Sequence, residues 1–249
     1  MDISIVIPAF DEAMKIGRDV EAAALFVEAE RLSAEIIVVD DGSRDGTADA
    51  AREAKAAPRI PVRTIRLERN EGKGFALKAG VLASSGEAVV CADAGTCVPY
   101  SDALASIRRM KAGELDVALA SRRIEGTVIC RDRPLRRRLL GWAFRLAAVA
   151  LAGLPRRITD PQCGFKVYRG AVARELFSGL ETPGFVFELE IILKALRRGF
   201  RIEEFPVTWT CDPDTRLHPA SQARTILKEL LAVRRIVRKE PGRGRATED

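Results

Sequence analysis

Histidine is nearly absent from this chain, with one residue, His218, in 249. The five cysteines, Cys91, Cys97, Cys130, Cys163 and Cys211, include no pair at zinc-ligand spacing, which argues against a structural zinc site. Their odd number, and a start that reads as a strand rather than a secretory leader, fit a reducing cytoplasm. Aromatic residues make up 6%, too few for the stacking platforms of a nucleic-acid binder. Long apolar runs are missing too. A spanning helix needs roughly 18 or more uninterrupted apolar residues, and the nearest approach, 139–154, is interrupted by Arg145. No internal repeat is present.

Apolar residues (47%) and charged residues (31%) stand in the proportions of a well-cored globular protein. The length suits one large α/β domain over residues 1–240, with a nucleotide-binding half (1–120) and an acceptor half (121–240). The tail 241–249 has no apolar anchor and reads as disordered. Net charge is +6, and the cations cluster late, at Arg131, Arg133, Arg136, Arg137 and Arg138 and again at Arg234, Arg235, Arg238 and Lys239. Such a balance suits anionic lipid or phosphorylated small molecules.

Strand and helix alternate through the first half. Strands are expected at 3–7, 35–39, 62–67 and 87–92, and helices from 11 or 13 to 33, from 45 to 56 and over 74–83. A further strand at 116–120 delivers Ser121 and Arg122. Later, a helix is expected at 185–196, a strand at 202–209 and a cationic amphipathic helix at 221–238. This order predicts a mainly parallel sheet with helices on both faces. Ligands of such sheets sit at the carboxyl ends of the strands. Four polar clusters fall there: Phe10-Asp11-Glu12, Asp40-Asp41-Gly42-Ser43, residues 69–74, and Asp93-Ala94-Gly95-Thr96.

Ionised carboxylates only accept hydrogen bonds, so Asp40 or Asp41 suits a base or ribose. Asp93 suits a divalent cation on a diphosphate, because Mg²⁺ commonly takes one or two carboxylates and completes its shell with water and phosphate. Taken singly, each Asp reads equally well as a helix cap. Asn70-Glu71-Gly72-Lys73-Gly74 offers close backbone approach and a cation for phosphate, but lacks the Walker A spacing. A nucleotidyltransferase would show a Gly-rich, Arg-containing loop after the first strand, and residues 8–13 do not.

Together these segments resemble family 2 glycosyltransferases of the GT-A fold. Residues 5–12, Ile-Val-Ile-Pro-Ala-Phe-Asp-Glu, are similar to the family's opening strand and turn. Residues 38–47, Val-Val-Asp-Asp-Gly-Ser-Arg-Asp-Gly-Thr, are similar to its most specific signature. Asp160-Pro161-Gln162-Cys163-Gly164-Phe165-Lys166, residues 184–190, Val207-Thr208-Trp209 and Arg216-Leu217-His218-Pro219 resemble the dolichyl-phosphate β-glucosyltransferase subgroup. One departure stands out. The family's metal motif is Asp-x-Asp, and here it reads Asp93-Ala94-Gly95.

The resemblance implies that Pro8, Ala9, Phe10, Glu12 and Asp41 or Asp40 hold the nucleoside, with Lys73 near the nucleotide and Ala94 on the ribose side. Asp93 would coordinate Mg²⁺ or Mn²⁺. Arg122, with Arg133, Arg136 or Arg137, would bind phosphate. Asp160 would be the base only for a hydroxyl acceptor, and otherwise reads as a turn cap beside Pro161. The implied reaction is inverting transfer of a hexose, glucose first, from UDP-glucose to a polyprenyl phosphate on the cytoplasmic membrane face. Attachment would be peripheral, through the helix at 139–154, which reads equally as a core helix, and through the last helix. The alternatives are GDP-mannose as donor, a saccharide or small-molecule acceptor, and a catalytically impaired nucleotide-sugar-binding relative.

Overall fold

The computed structural model describes residues 1–54, 60–131, 134–211, 223–240 and 242. The elements in chain order are β1 (Ile3–Ala9), α1 (Ala13–Ala29), β2 (Ala34–Asp40), α2 (Thr47–Glu53), β3 (Val62–Arg66), α3 (Lys73–Leu82), β4 (Ala88–Cys91), α4 (Leu104–Lys111), β5 (Val117–Ser121), β6 (Val128–Arg131), α5 (Leu135–Ala147), β7 (Lys166–Arg169), α6 (Gly170–Ser178), α7 (Phe187–Arg197), β8 (Ile202–Pro206), β9 (Thr208–Thr210) and α8 (Ala223–Lys239).

Seven strands form one sheet in the order β3-β2-β1-β4-β7-β5-β8. All neighbours are parallel except β7, which runs antiparallel to both β4 and β5. The central strands read as continuous β-branched runs because helices cover both faces. Ile3, Ile5, Ile7, Ile36 and Val38 point into one core layer, and Val6, Ile37 and Val39 into the other. This is the mainly parallel GT-A arrangement expected from the sequence.

Several boundaries differ from the expectations. The first helix ends at Ala29, because Arg31 takes a positive φ of 53° and turns the chain towards β2. The second is described only to Glu53, and residues 55–59 lie outside the described residues. The expected strand 202–209 is two strands. Pro206 cannot donate to a ladder, β8 ends there, and β9 leaves the sheet to pair with β6. The apolar run at 139–154 starts a turn earlier, as α5, and ends in a π-helical turn over Ala148–Ala152. Among the described residues no helix is long and apolar enough to cross a membrane. The tail at 241–249 lies, apart from residue 242, outside the described residues.

Candidate active site

A cavity of about 690 Å³ opens at the carboxyl ends of β1, β2 and β4. Its polar wall carries Pro8, Ala9, Phe10, Glu12, Asp41, Lys73, Asp93 and Ala94. Arg122 lines it as well. The sheet therefore brings together the residues expected from four separate loops.

The loops are held by the signature's own side chains. The first N–H groups of a helix have no partner within it, and α1 has no side-chain cap of its own. Instead, Asp11 N–H donates to Ser43 Oγ (2.8 Å), Glu12 N–H to Thr47 Oγ1 (2.8 Å) and Ala13 N–H to Asp45 Oδ2 (3.1 Å). Arg44 N–H returns a bond to Asp11 Oδ1 (2.8 Å). Much of the Ser-Arg-Asp-Gly-Thr signature is thus a clamp on the β1–α1 loop.

The two neighbouring aspartates take different roles. Asp40 is buried and accepts the Ser43 N–H (2.8 Å), with Arg66 Nε at 3.5 Å, and it does not line the cavity. Asp41 does line it. Its oxygens accept the N–H groups of Glu71 (2.7 Å) and Gly72 (3.0 Å), which pins the loop carrying Lys73. Burial raises the Asp41 pKa, against the lowering effect of those two bonds.

Asp93 follows β4 and faces the cavity, with a side chain 43% exposed. Lys73 Nζ lies 2.7 Å from its Oδ1 and 3.7 Å from Glu188 Oε1. Glu188 also holds the buried Lys166 at 2.8 Å. The Lys73 ammonium sits 5.7 Å from the centre of the Phe187 ring. Protein packed around the loop opposes charge on Asp93, yet Lys73, Lys166 and Arg122 hold its carboxyl below the usual range. The residue is therefore an anion at neutral pH. Gly164 leaves room for it, since a Cβ there would stand 2.0 Å from Asp93 Oδ2.

Arg122 and Asp160 form a buried pair. Nε and Nη2 of the arginine donate to the two carboxylate oxygens at 2.6 and 2.8 Å, and the guanidinium lies 5.4 Å from the Trp209 ring centre. The Asp160 N–H in turn donates to Glu204 (2.8 Å). Burial opposes ionisation of Asp160, but Arg122 holds its pKa low. A carboxylate with both oxygens bound by one guanidinium suits the turn-anchoring role better than that of a base. Arg133 lies outside the described residues, as does the Arg216–Pro219 motif, and so do the side chains of Arg136 and Arg137 on α5.

The opposite wall was not foreseen as part of the same cavity. Leu140, Ala143, Phe144 and Ala147 of α5 line it together with Ile226, Leu227 and Leu230 of α8. Gln162 lines the cavity as well, with a buried Nε2 that has no hydrogen-bond partner among the described residues. Its place in the motif at 160–166 was visible in the sequence, but its unpaired amide was not.

Among the described residues no three His, Cys, Asp or Glu side chains cluster to hold a metal. The chemistry of the donor set still fits a divalent ion bound mainly by a ligand. One open, ionised carboxylate is enough where diphosphate oxygens and water complete the shell.

A family model described as glycosyl transferase family 2 matches residues 4–177. The dolichyl-phosphate β-glucosyltransferase of Saccharomyces cerevisiae is 30% identical over 248 residues, covering 93% of this chain and 74% of that one. That of Dictyostelium discoideum is 27% identical over 242 residues, covering 93% and 73%. Among solved structures, the M. tuberculosis glucosyl-3-phosphoglycerate synthase superposes with a TM-score of 0.67 at 21% identity, covering 98% of this chain and 82% of that one. The same enzyme has been solved with Mn²⁺, UDP and glucosyl-3-phosphoglycerate (TM-score 0.63, 21% identity, 98% and 82% covered). With its loops laced by the family signature and Asp93 open at the end of β4, this chain belongs to glycosyl transferase family 2 and is a glycosyltransferase.

Proposed function

We propose that the chain transfers glucose from UDP-glucose to a polyprenyl phosphate of the dolichyl type, with inversion, at the cytoplasmic face of a membrane. The carrying observation is the division of one cavity into a polar wall that suits a nucleotide and an apolar wall that suits an isoprenoid. The likeness to dolichyl-phosphate β-glucosyltransferases points the same way.

The nucleoside would lie against Pro8, Ala9, Phe10, Glu12 and Asp41. Ala94 would meet the ribose, and Lys73 would stand beside the diphosphate. Asp93 would hold Mg²⁺ or Mn²⁺, which when bound supplies charge stabilisation to the departing diphosphate. An acceptor phosphate oxygen forms the new bond to the anomeric carbon as the bond to UDP breaks on the opposite face. That oxygen is already ionised, so no strong base is required, and Asp160 serves by fixing Arg122. Arg122 would orient the acceptor phosphate, with Arg133, Arg136 and Arg137 as further cations for it. A ligand oxygen would satisfy the Gln162 amide, whose burial without an acceptor is otherwise costly.

Membrane contact is supported by α5. Leu135, Leu139, Trp142 and Leu146 are 67%, 59%, 56% and 44% exposed, and their 4-3-4 spacing puts them on one helical stripe. Leu227 and Leu231 of α8 are exposed as well, and so are Arg138, Arg156, Arg157, Arg234, Arg235 and Arg238. Apolar side chains inserted between headgroups, with cations at phosphate level, form an interfacial surface.

The test is transfer of labelled sugar from UDP-glucose or GDP-mannose to polyprenyl phosphate, with Mg²⁺, Mn²⁺ or EDTA. Glucose is expected in the organic extract only when metal is present. Mannose labelling would reassign the donor, and no lipid labelling from either donor would remove the acceptor assignment.

A further inference from the structure

The loop that carries Asp93 is shaped from behind by a residue outside every family motif discussed above. Asp19 lies in the middle of α1 and is 1% exposed. Its two oxygens accept the Gly95 N–H at 3.0 and 2.9 Å, and the neighbouring Thr96 favours its ionised form. Gly95 and Thr96 both have positive φ, 103° and 47°. Successive N–H groups in such a conformation form a concavity that holds an anion. Here the anion is a side chain of the protein itself.

This arrangement gives a physical reading of the missing second carboxylate. A φ of 103° is a glycine conformation, and an aspartate at position 95 would be strained there. The negative charge next to this loop comes instead from α1, from a buried side chain that does not line the cavity. Burial pushes the Asp19 pKa up to about 6, so the fold keeps this carboxylate against its desolvation cost.

We infer that Asp19 is a positioning residue which, by gripping Gly95, sets the direction of the Asp93 carboxylate towards the metal–diphosphate. The inference rests on the assignment of Asp93 to that group. Removing a partner behind a metal-holding loop typically weakens metal affinity about 10-fold to 100-fold.

The experiment measures Mn²⁺ binding to the UDP-loaded protein by electron paramagnetic resonance or calorimetry, together with melting temperature and the kcat and KM for donor. Asp19→Asn keeps the shape but presents an amide NH₂ to donors that need an acceptor. It is expected to melt within a few degrees of wild type while losing at least about tenfold in Mn²⁺ affinity, with the loss in kcat exceeding any rise in KM. Gly95→Ala strains the same clasp from the loop side and is expected to give the same affinity loss. Asp19→Asn with wild-type melting, Mn²⁺ affinity and kcat overturns the inference. If that variant does not fold, unchanged Mn²⁺ affinity in Gly95→Ala overturns it equally. Asp93→Ala serves as the reference. If it binds Mn²⁺ and UDP like wild type, the assignment of Asp93 falls, and the inference with it. If it loses Mn²⁺ while Asp19→Asn does not, only the inference falls.

Discussion

The two walls of the cavity are built by different physics. On the polar side, short loops at strand ends are fixed by side-chain acceptors that take backbone N–H groups. Ser43, Asp45 and Thr47 hold one loop, Asp41 a second and Asp19 a third. On the α5 and α8 side the surface is made of leucine, alanine, phenylalanine and isoleucine, and α5 is apolar on two faces at once. On the proposed function, the first wall would specify a ligand through direction and the second through area. The polar wall should therefore fail sharply when one atom is changed, and the apolar wall should weaken in small steps.

The largest effect is expected at Asp93. Its conversion to alanine removes the open anion of the polar wall and should lower kcat/KM about a thousandfold, as measured by labelled transfer under saturating metal. A loss below tenfold would show that the wall does not depend on direction.

Next comes the buried pair of Arg122 and Asp160. Asp160→Ala leaves the Arg122 guanidinium buried without its partner and should destabilise the fold by about 3 kcal/mol, read from chemical denaturation. A double-mutant cycle with Arg122→Ala should recover part of that loss, since the unpaired charge is then gone.

Gly164→Ala should cost about a hundredfold in activity, because the new Cβ overlaps Asp93 Oδ2. Its melting temperature should change little, and a structural collapse instead would place the glycine's role in folding. On the exposed face of α5, Leu139→Ala combined with Trp142→Ala should reduce binding to anionic vesicles about tenfold, with UDP affinity unchanged. Equal losses of both would erase the contrast between the polar loops and the apolar surface of α5.

The smallest effect expected is one of slope. The folded-state pKa of Asp19, about 6, lies above its ordinary value of 3.8. The native state therefore holds more protons than the unfolded state between those values, and this residue's contribution falls as pH rises from about 4 to about 6. Compared with Asp19→Asn, wild-type stability should decline across that window. Asp160, with a lowered pKa, contributes in the opposite sense, present above its ordinary pKa and lost as pH falls through its folded value.

The same contrast explains what was legible beforehand. Strand ends can be read from β-branched runs, and parallel topology gathers those ends on one edge, so Asp41, Lys73, Asp93 and Arg122 were found on the residues where they lie. The choice between Asp40, the last residue of β2, and Asp41, the first after it, was not legible, because neighbouring residues at a strand end point to opposite sides and nothing in the two letters marks the register. The Arg122–Asp160, Lys166–Glu188 and Asp19–Gly95 pairs depend on β7 entering the sheet antiparallel and on α1 packing behind β4. These are tertiary facts with no local signal. Likewise, the run at 139–154 could be read as core or as interface, and α5 serves one face to the cavity and another to solvent.

The most direct measurement of the central claim is a competition between acceptors. Labelled UDP-glucose is given to the protein with equal amounts of a polyprenyl phosphate in anionic vesicles and 3-phosphoglycerate in solution. The two-walled cavity predicts label in the organic extract, suppressed by Leu140→Ala combined with Phe144→Ala on its apolar wall. Label confined to a water-soluble product, and indifferent to those substitutions, would contradict the assignment of the apolar wall to a lipid.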